Sequence, residues 1–309
     1  MLVNLLYRPR LADLKPLNSE AQTLSQVEAS ARNSPVSDPV TFEGRLGYDT
    51  GFLPDLAVPW PTLTEAKQAD LLSTAARLDY MHFSVAMSRS RRMALFVGVN
   101  IDGQSSISIP RANEIWRYDG RIPKEAQFGN ELYAGNLLDR GHLVRREDPN
   151  WGGDDAQTAN EDTFHFTNSV PQMAGFNQKT WLSLENYVLK NARSWQERVT
   201  VFSGPVFRES DREYRGARIP EAFWKVIAFL SEDGSPSATA YIIEQALELG
   251  QLEATYGAFK TYQCSVCSIE EHTGIDFGSL HDFDGFSNEE NATGVTVRKV
   301  VNGAEDILV

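Results

Sequence analysis

Asp139-Arg140-Gly141-His142 decides the reading of this chain, together with Thr163-Phe164-His165-Phe166-Thr167-Asn168 and Asn177-Gln178-Lys179-Thr180-Trp181-Leu182-Ser183-Leu184-Glu185 downstream. The first four residues put a carboxylate, a guanidinium and an imidazole on a bend that glycine permits. A neutral imidazole can take a proton from water near pH 7. The amide oxygen of Asn177 can hold a hard divalent cation that keeps most of its waters. Base, cation ligand and phosphate-binding arginine together suit phosphodiester cleavage.

Outward from this stretch, TFHFTNSVPQ (163–172) alternates like a strand and is expected to stop at Pro171. NQKTWLSLENYVLKNARSW (177–195) reads as a helix with Trp181, Leu184, Val188 and Ala192 on one stripe. The connection REDPNWGGDDAQTANED is acidic and Gly-rich and should run over the surface. The order is thus a strand or loop carrying the Asp-Arg-Gly-His run, a second strand, then a helix opening at Asn177. Along such a helix Asn177 and Glu185 lie roughly 80° apart, on one broad side.

Upstream, HFSVAMSRSRRMALFVGVNIDG reads as a hairpin, and KQADLLSTAARLD as a short helix. GYDTGFLPDLAVPWPTL reads as an irregular wrap anchored by Phe52, Leu53 and Trp60. Downstream, RVTVFSGPVF, AFWKVIAFLS, ATAYIIEQ and TYQCSVCSI are strand candidates rich in β-branched and aromatic residues. The fold class expected is α+β, a mainly antiparallel sheet with packed helices. Residues 1–40 carry Pro16, Pro35 and Pro39 and few apolar residues, so they read as an arm or linker, with the compact domain at 41–309. Such an arm would dock on a second copy, giving a homodimer, or on a regulatory partner.

The 309 residues carry a formal net charge of −13, which argues against gripping nucleic acid by bulk electrostatics. Residues 89–146 run the other way, with ten Lys or Arg against six acids, so a local basic groove on an acidic body is expected. No apolar run reaches membrane-span length, and the N-terminus lacks the order of a secretory signal, so a cytoplasmic location is expected. Cys264 and Cys267 have no second pair to complete a zinc site and read as packing residues on a strand. His82, His165, His272 and His281 show no partner pattern, and DFDGFSNEEN (282–291) places its glycine too early for a calcium loop.

The chain resembles the DNA/RNA non-specific endonuclease family, whose members carry this four-residue motif in a ββα-metal (His-Me finger) core. The shared pattern is Asp139-Arg140-Gly141-His142, Thr167-Asn168, Pro171-Gln172, Asn177-Gln178, Trp181 and Leu184-Glu185. The resemblance implies His142 as general base and Asn177 as the protein ligand of Mg²⁺, with Mn²⁺ or another divalent cation able to serve. Glu185 and Asp139 would hold waters around the cation; Asn168 would either join them or end its strand by bonding backbone. Arg140 and Arg111 would neutralise charge on the transition state, with Arg117 competing for the place of Arg111. Arg117, Arg145 and Arg146 would contact DNA or RNA. A protein that keeps the fold but is catalytically silent, and a nuclease effector of a larger defence or toxin system, are the competing readings.

Overall fold

A computed structural model of the chain describes residues 34–72, 77–111, 114–173, 180–245, 260–301 and 306–307, apart from the side chains of 180–184, 186 and 260. In chain order the main elements begin with β1 (Val36–Ser37), α1 (Glu65–Asp70), β2 (Leu78–Tyr80), β3 (Phe83–Ser88) and β4 (Met93–Asp102). They continue with β5 (Tyr118–Asp119), α2 (Asn130–Tyr133), β6 (Leu138–His142), α3 (Asp155–Asp162), β7 (Ser169–Met173) and α4 (Thr180–Trp195). Next come β8 (Arg198–Val206), β9 (Ala222–Leu230), β10 (Pro236–Glu244), β11 (Lys260–Cys264), α5 (Val266–Thr273), α6 (Gly285–Thr293) and β12 (Arg298–Val301).

Eight strands form one antiparallel sheet in the order β12-β11-β10-β9-β8-β4-β3-β2. The α+β expectation therefore holds. Alternation along β9 sorts the core into two layers. Phe223 and Ile227 join Val97, Val99, Val199 and Val201 on one face, where Leu138, Leu143, Val170 and Leu189 pack down on them. Trp224, Val226 and Ala228 point to the other face, against Phe202, Ile269, Phe277 and Leu280. The first face carries the Asp-Arg-Gly-His strand.

Three local readings are corrected. The acidic connection contains α3, and its Asp148, Asn150, Asn160 and Asp162 are buried. Those polar groups are taken up internally, as in the Arg45–Asp162 ion pair at 2.9 Å and the bond from the Met81 N–H to Asp162 at 2.9 Å. The strand after α3 begins only at Ser169 and passes through Pro171, which the short two-stranded β6–β7 sheet tolerates. The cysteine-bearing strand ends at Cys264, because the Ser265 side chain accepts from Ser268 N–H and caps a new helix.

The packed chain also reaches back beyond the expected start at residue 41. Val36 and Ser37 pair in parallel with Tyr118 and Asp119, and Ser37 Oγ lies 2.9 Å from His165 Nε2. Of the expected arm, residues 1–33 lie outside the described residues.

Helix α4 is seated on the sheet by a close backbone approach. Gly103, just after β4, donates to the Glu197 carbonyl at 2.8 Å, and a Cβ there would lie 1.9 Å from the Ala192 carbonyl oxygen. Backbone cannot yield as a side-chain tip can. Gly103→Ala is therefore expected to cost about 1–3 kcal/mol or more, read as a lowered midpoint in chemical denaturation. An unchanged midpoint would show that α4 is not held at this point.

Candidate active site

Strands β6 and β7 lie antiparallel, with Asp139 opposite Gln172, Arg140 opposite Pro171, Gly141 opposite Val170 and His142 opposite Ser169. Helix α4 follows β7, which completes a ββα order. A Cβ at Gly141 would lie 2.1 Å from the end of the buried Gln172 side chain, so a larger residue there would have to displace that amide. Asn177 lies outside the described residues, three positions before the first described turn of α4.

His142 ends β6 inside an aromatic box. Its ring centroid is 4.7 Å from that of Trp116 and 5.1 Å, edge-on, from that of Phe164. Phe166 and Tyr118 complete the cluster. The residue is partly exposed, yet its Nε2 is closed off and has no hydrogen-bond partner. Burial, then the charges of Arg111, Arg146 and Arg140, hold its pKa down at about 3. The imidazole is neutral at pH 7 and keeps a lone pair. The sequence marks Trp116 as the aromatic that follows Arg111 in the family's arginine-aromatic-aspartate stretch, and the structure adds that it walls this box.

The arginines divide into two groups. Arg111, the largest of the three charges acting on His142, is 77% exposed and holds Glu114 only loosely at 3.7 Å. Arg140 stands with its guanidinium 5.6 Å from the Trp116 ring and donates to Asn130 Oδ1 at 2.5 Å. Arg117 is half-buried, and its backbone bonds Phe164 and Phe166 on either side. Arg146, expected to meet nucleic acid, donates instead to the Ile109 carbonyl at 2.8 Å and to Glu147 at 2.9 Å. It latches the segment that carries Arg111. Arg145 is half-buried and adds positive charge beside Asp148.

Asn168 gives the backbone-bonding outcome. Its Oδ1 accepts from Val144 N–H at 2.8 Å, while its Nδ2 donates to the Val144 and Thr163 carbonyls at 2.9 and 3.0 Å. The amide is spent on fixing the chain just after His142. Asp139 sits on β6 at the register position of Gln172 and is partly exposed.

Glu185 points inward from α4, 9% exposed, and its Oε1 is 3.2 Å from Nζ of Lys225 on β9. Lys225 in turn donates to Ser203 Oγ at 2.9 Å. Asp148 is buried near both; burial, opposed by Arg145 and reinforced by Glu185, pushes its carboxyl up to about 7. Lys225 and Asp148 carry no motif in the sequence. Their positions follow only from strand parity and from the folding of the acidic connection. Buried polar atoms without a hydrogen bond sit on both strands of the ββα unit, His142 Nε2 on β6 and both amide atoms of Gln172 on β7, while Glu185 Oε1 on α4 is held by its ion pair with Lys225. A neutral imidazole and a carboxylate held inward by a lysine suit an anionic ester beside a hydrated divalent cation.

The family model for DNA/RNA non-specific endonucleases matches residues 63–282. The chain belongs to the DNA/RNA non-specific endonuclease family. It is 39% identical to the uncharacterised protein y4fB of Sinorhizobium fredii over 91% of this chain and 46% of that one. It is 30% identical to human mitochondrial endonuclease G over 42% of this chain and 46% of that protein. The chain thus spans about half the length of these curated relatives. A chain in the crystal structure of an EndoG/EndoGI complex shares the fold, with a TM-score of 0.53 at 21% identity, covering 66% of this chain and 86% of that one. Among the described residues no helix is long and apolar enough to cross a membrane.

Two titrations check the electrostatics. The His142 ring should remain neutral at pH 5, where a solvent-exposed histidine is mostly protonated. Its side-chain ¹⁵N shifts report this directly, and a titration near 6.5 would contradict it. The Asp148 carboxyl binds protons more tightly folded than unfolded, so its contribution to stability is lost as pH rises from the ordinary 3.8 through about 7. Asp148→Asn should therefore raise the melting temperature by roughly several degrees at pH 8 and far less at pH 5. Equal shifts at both pH values would rule out this titration.

Proposed function

We propose that the chain is a metal-dependent, non-specific endonuclease that hydrolyses phosphodiester bonds of DNA, with RNA as a second substrate. The observation that carries this reading is the ββα unit that sets His142 against Trp116 and Phe164, with the Arg140 guanidinium over the same Trp116 ring. The free imidazole is unprotonated at pH 7, and an anionic ester entering the pocket would offset the arginine charges that depress its pKa and bring the base nearer the working pH.

In this reading Asn177 holds the cation, Mg²⁺ by the chemistry of a single amide oxygen among waters. When bound, the cation supplies Lewis-acid stabilisation of the phosphate and of the leaving oxygen. The neutral imidazole of His142 accepts the proton of the attacking water. Arg111 and Arg140 meet the charge that develops on the phosphorus-bound oxygens. Glu185, positioned by Lys225, and Asp139 orient solvent on the cation side of the site. Trp116 and Phe164 keep bulk water from the imidazole.

Nicking of supercoiled plasmid under single-turnover conditions tests the assignment. His142→Ala should lower the rate about 10²–10⁴-fold with an unchanged melting temperature, whereas Asn177→Ala should raise the Mg²⁺ concentration needed for half-maximal rate. A His142→Ala variant within a few-fold of wild type would remove the base, and an unchanged metal titration would remove Asn177.

A further inference from the structure

On the sheet face away from the ββα unit, three side chains with metal-ligating atoms converge. Cys267 and Glu270 lie one turn apart on α5, and His281 lies on the 3₁₀ turn Gly278–Phe283. Gly274, at φ 68°, ends α5 in the left-handed region and lets the chain turn back towards the helix. The Sγ, carboxylate oxygen and ring nitrogen that they offer all lie within 4.8 Å of one another.

Within this cluster His281 and Glu270 form a loose ion pair, not a closed one. His281 Nδ1 is closed off from solvent and makes no hydrogen bond. It stands 3.7 Å from Glu270 Oε2, whereas a charged hydrogen bond would close to about 2.8 Å. Nitrogen and oxygen donors on a tetrahedral zinc, with bonds of about 2.0–2.1 Å, are separated by roughly 3.3 Å. The other carboxylate oxygen, Oε1, accepts from Phe277 N–H at 2.9 Å, which fixes Glu270 with Oε2 turned inward. On the far side of the imidazole, Nε2 lies 3.5 Å from Asp282 Oδ1, the carboxylate-behind-histidine arrangement that orients metal-binding imidazoles.

We propose that Cys267, Glu270 and His281 form a zinc site that fastens α5 to the Gly278–Phe283 turn, with water in the fourth position. A thiolate, an imidazole and a carboxylate select zinc over Mg²⁺, so the site is chemically distinct from the one assigned to Asn177. The carboxylates of Glu270, Glu290 and Asp284 set a negative field around the Cys267 thiol. The same negative field favours an incoming cation, and the thiol proton leaves to solvent as the metal–sulfur bond forms. Only the folded chain brings the three ligands together, so bound zinc stabilises it.

Cobalt(II) added to chelator-stripped full-length protein tests this without reference to cleavage. One equivalent should give a thiolate-to-cobalt charge-transfer absorption that zinc then removes, with a rise in melting temperature. Cys267→Ser should abolish that absorption, and His281→Ala should weaken zinc binding more than tenfold in a chelator competition. Asn177→Ala should leave both readings unchanged. No charge-transfer absorption at saturating cobalt, or one that persists in Cys267→Ser, would overturn the site, as would undiminished zinc affinity in His281→Ala.

Discussion

Leu138–His142 runs antiparallel to Ser169–Met173, and the groups of the candidate site take their places from that register. Gly141 lies under the Gln172 side chain, so a larger residue at the bend would displace that amide. His142 falls at the strand end, where Asn168 clamps the backbone of Val144 from both sides. Val170, Leu138 and Leu143 bind this small hairpin to the sheet. A one-residue slip would turn His142 away from its aromatic box, since alternate residues face opposite sides. Burial of apolar side chains thus sets the geometry of a polar site.

Charge in this protein is local. A net −13 coexists with a window of excess cations, yet several of those cations serve the fold. Arg91 pairs with Asp211 at 2.7 Å in the interior, and Arg121 pairs with Asp119 at 2.7 Å while stacking over Phe42. Arg146 is engaged with Ile109 and Glu147. Fewer arginines are therefore available to a phosphate backbone than the sequence window suggests. The positive field that does act converges on His142, where it adds to burial in holding the imidazole neutral. An acidic body with a focused cationic site suits turnover better than retention.

The sequence carried the sheet and the ββα order plainly, because β-branched and aromatic runs such as RVTVFSGPV and AFWKVIAFL admit few other conformations. The Asp-Arg-Gly-His strand and the helix up to Trp195 were readable from motif and periodicity. Helix α3 was not, since DAQTANED is polar throughout and owes its position to buried carboxylate and amide bonds from distant residues. Lys225 was hidden for a different reason. A lysine amid Ala222–Leu230 reads as an ordinary strand residue until Glu185, forty positions earlier, is found against it. The Cys267–Glu270–His281 cluster is also tertiary: its ligands come from a helix and a later turn, and Ser265 ends the strand in which both cysteines had been placed.

The central claim is that the ββα unit is a divalent-cation-dependent phosphodiesterase site built around a neutral His142. Conversion of supercoiled plasmid by the purified protein, measured in Mg²⁺ and again with excess EDTA, tests it most directly. The account predicts relaxation and fragmentation in Mg²⁺, complete arrest in EDTA and recovery when Mg²⁺ is restored. Cleavage that continues in EDTA, or intact plasmid in every divalent cation supplied, would contradict it.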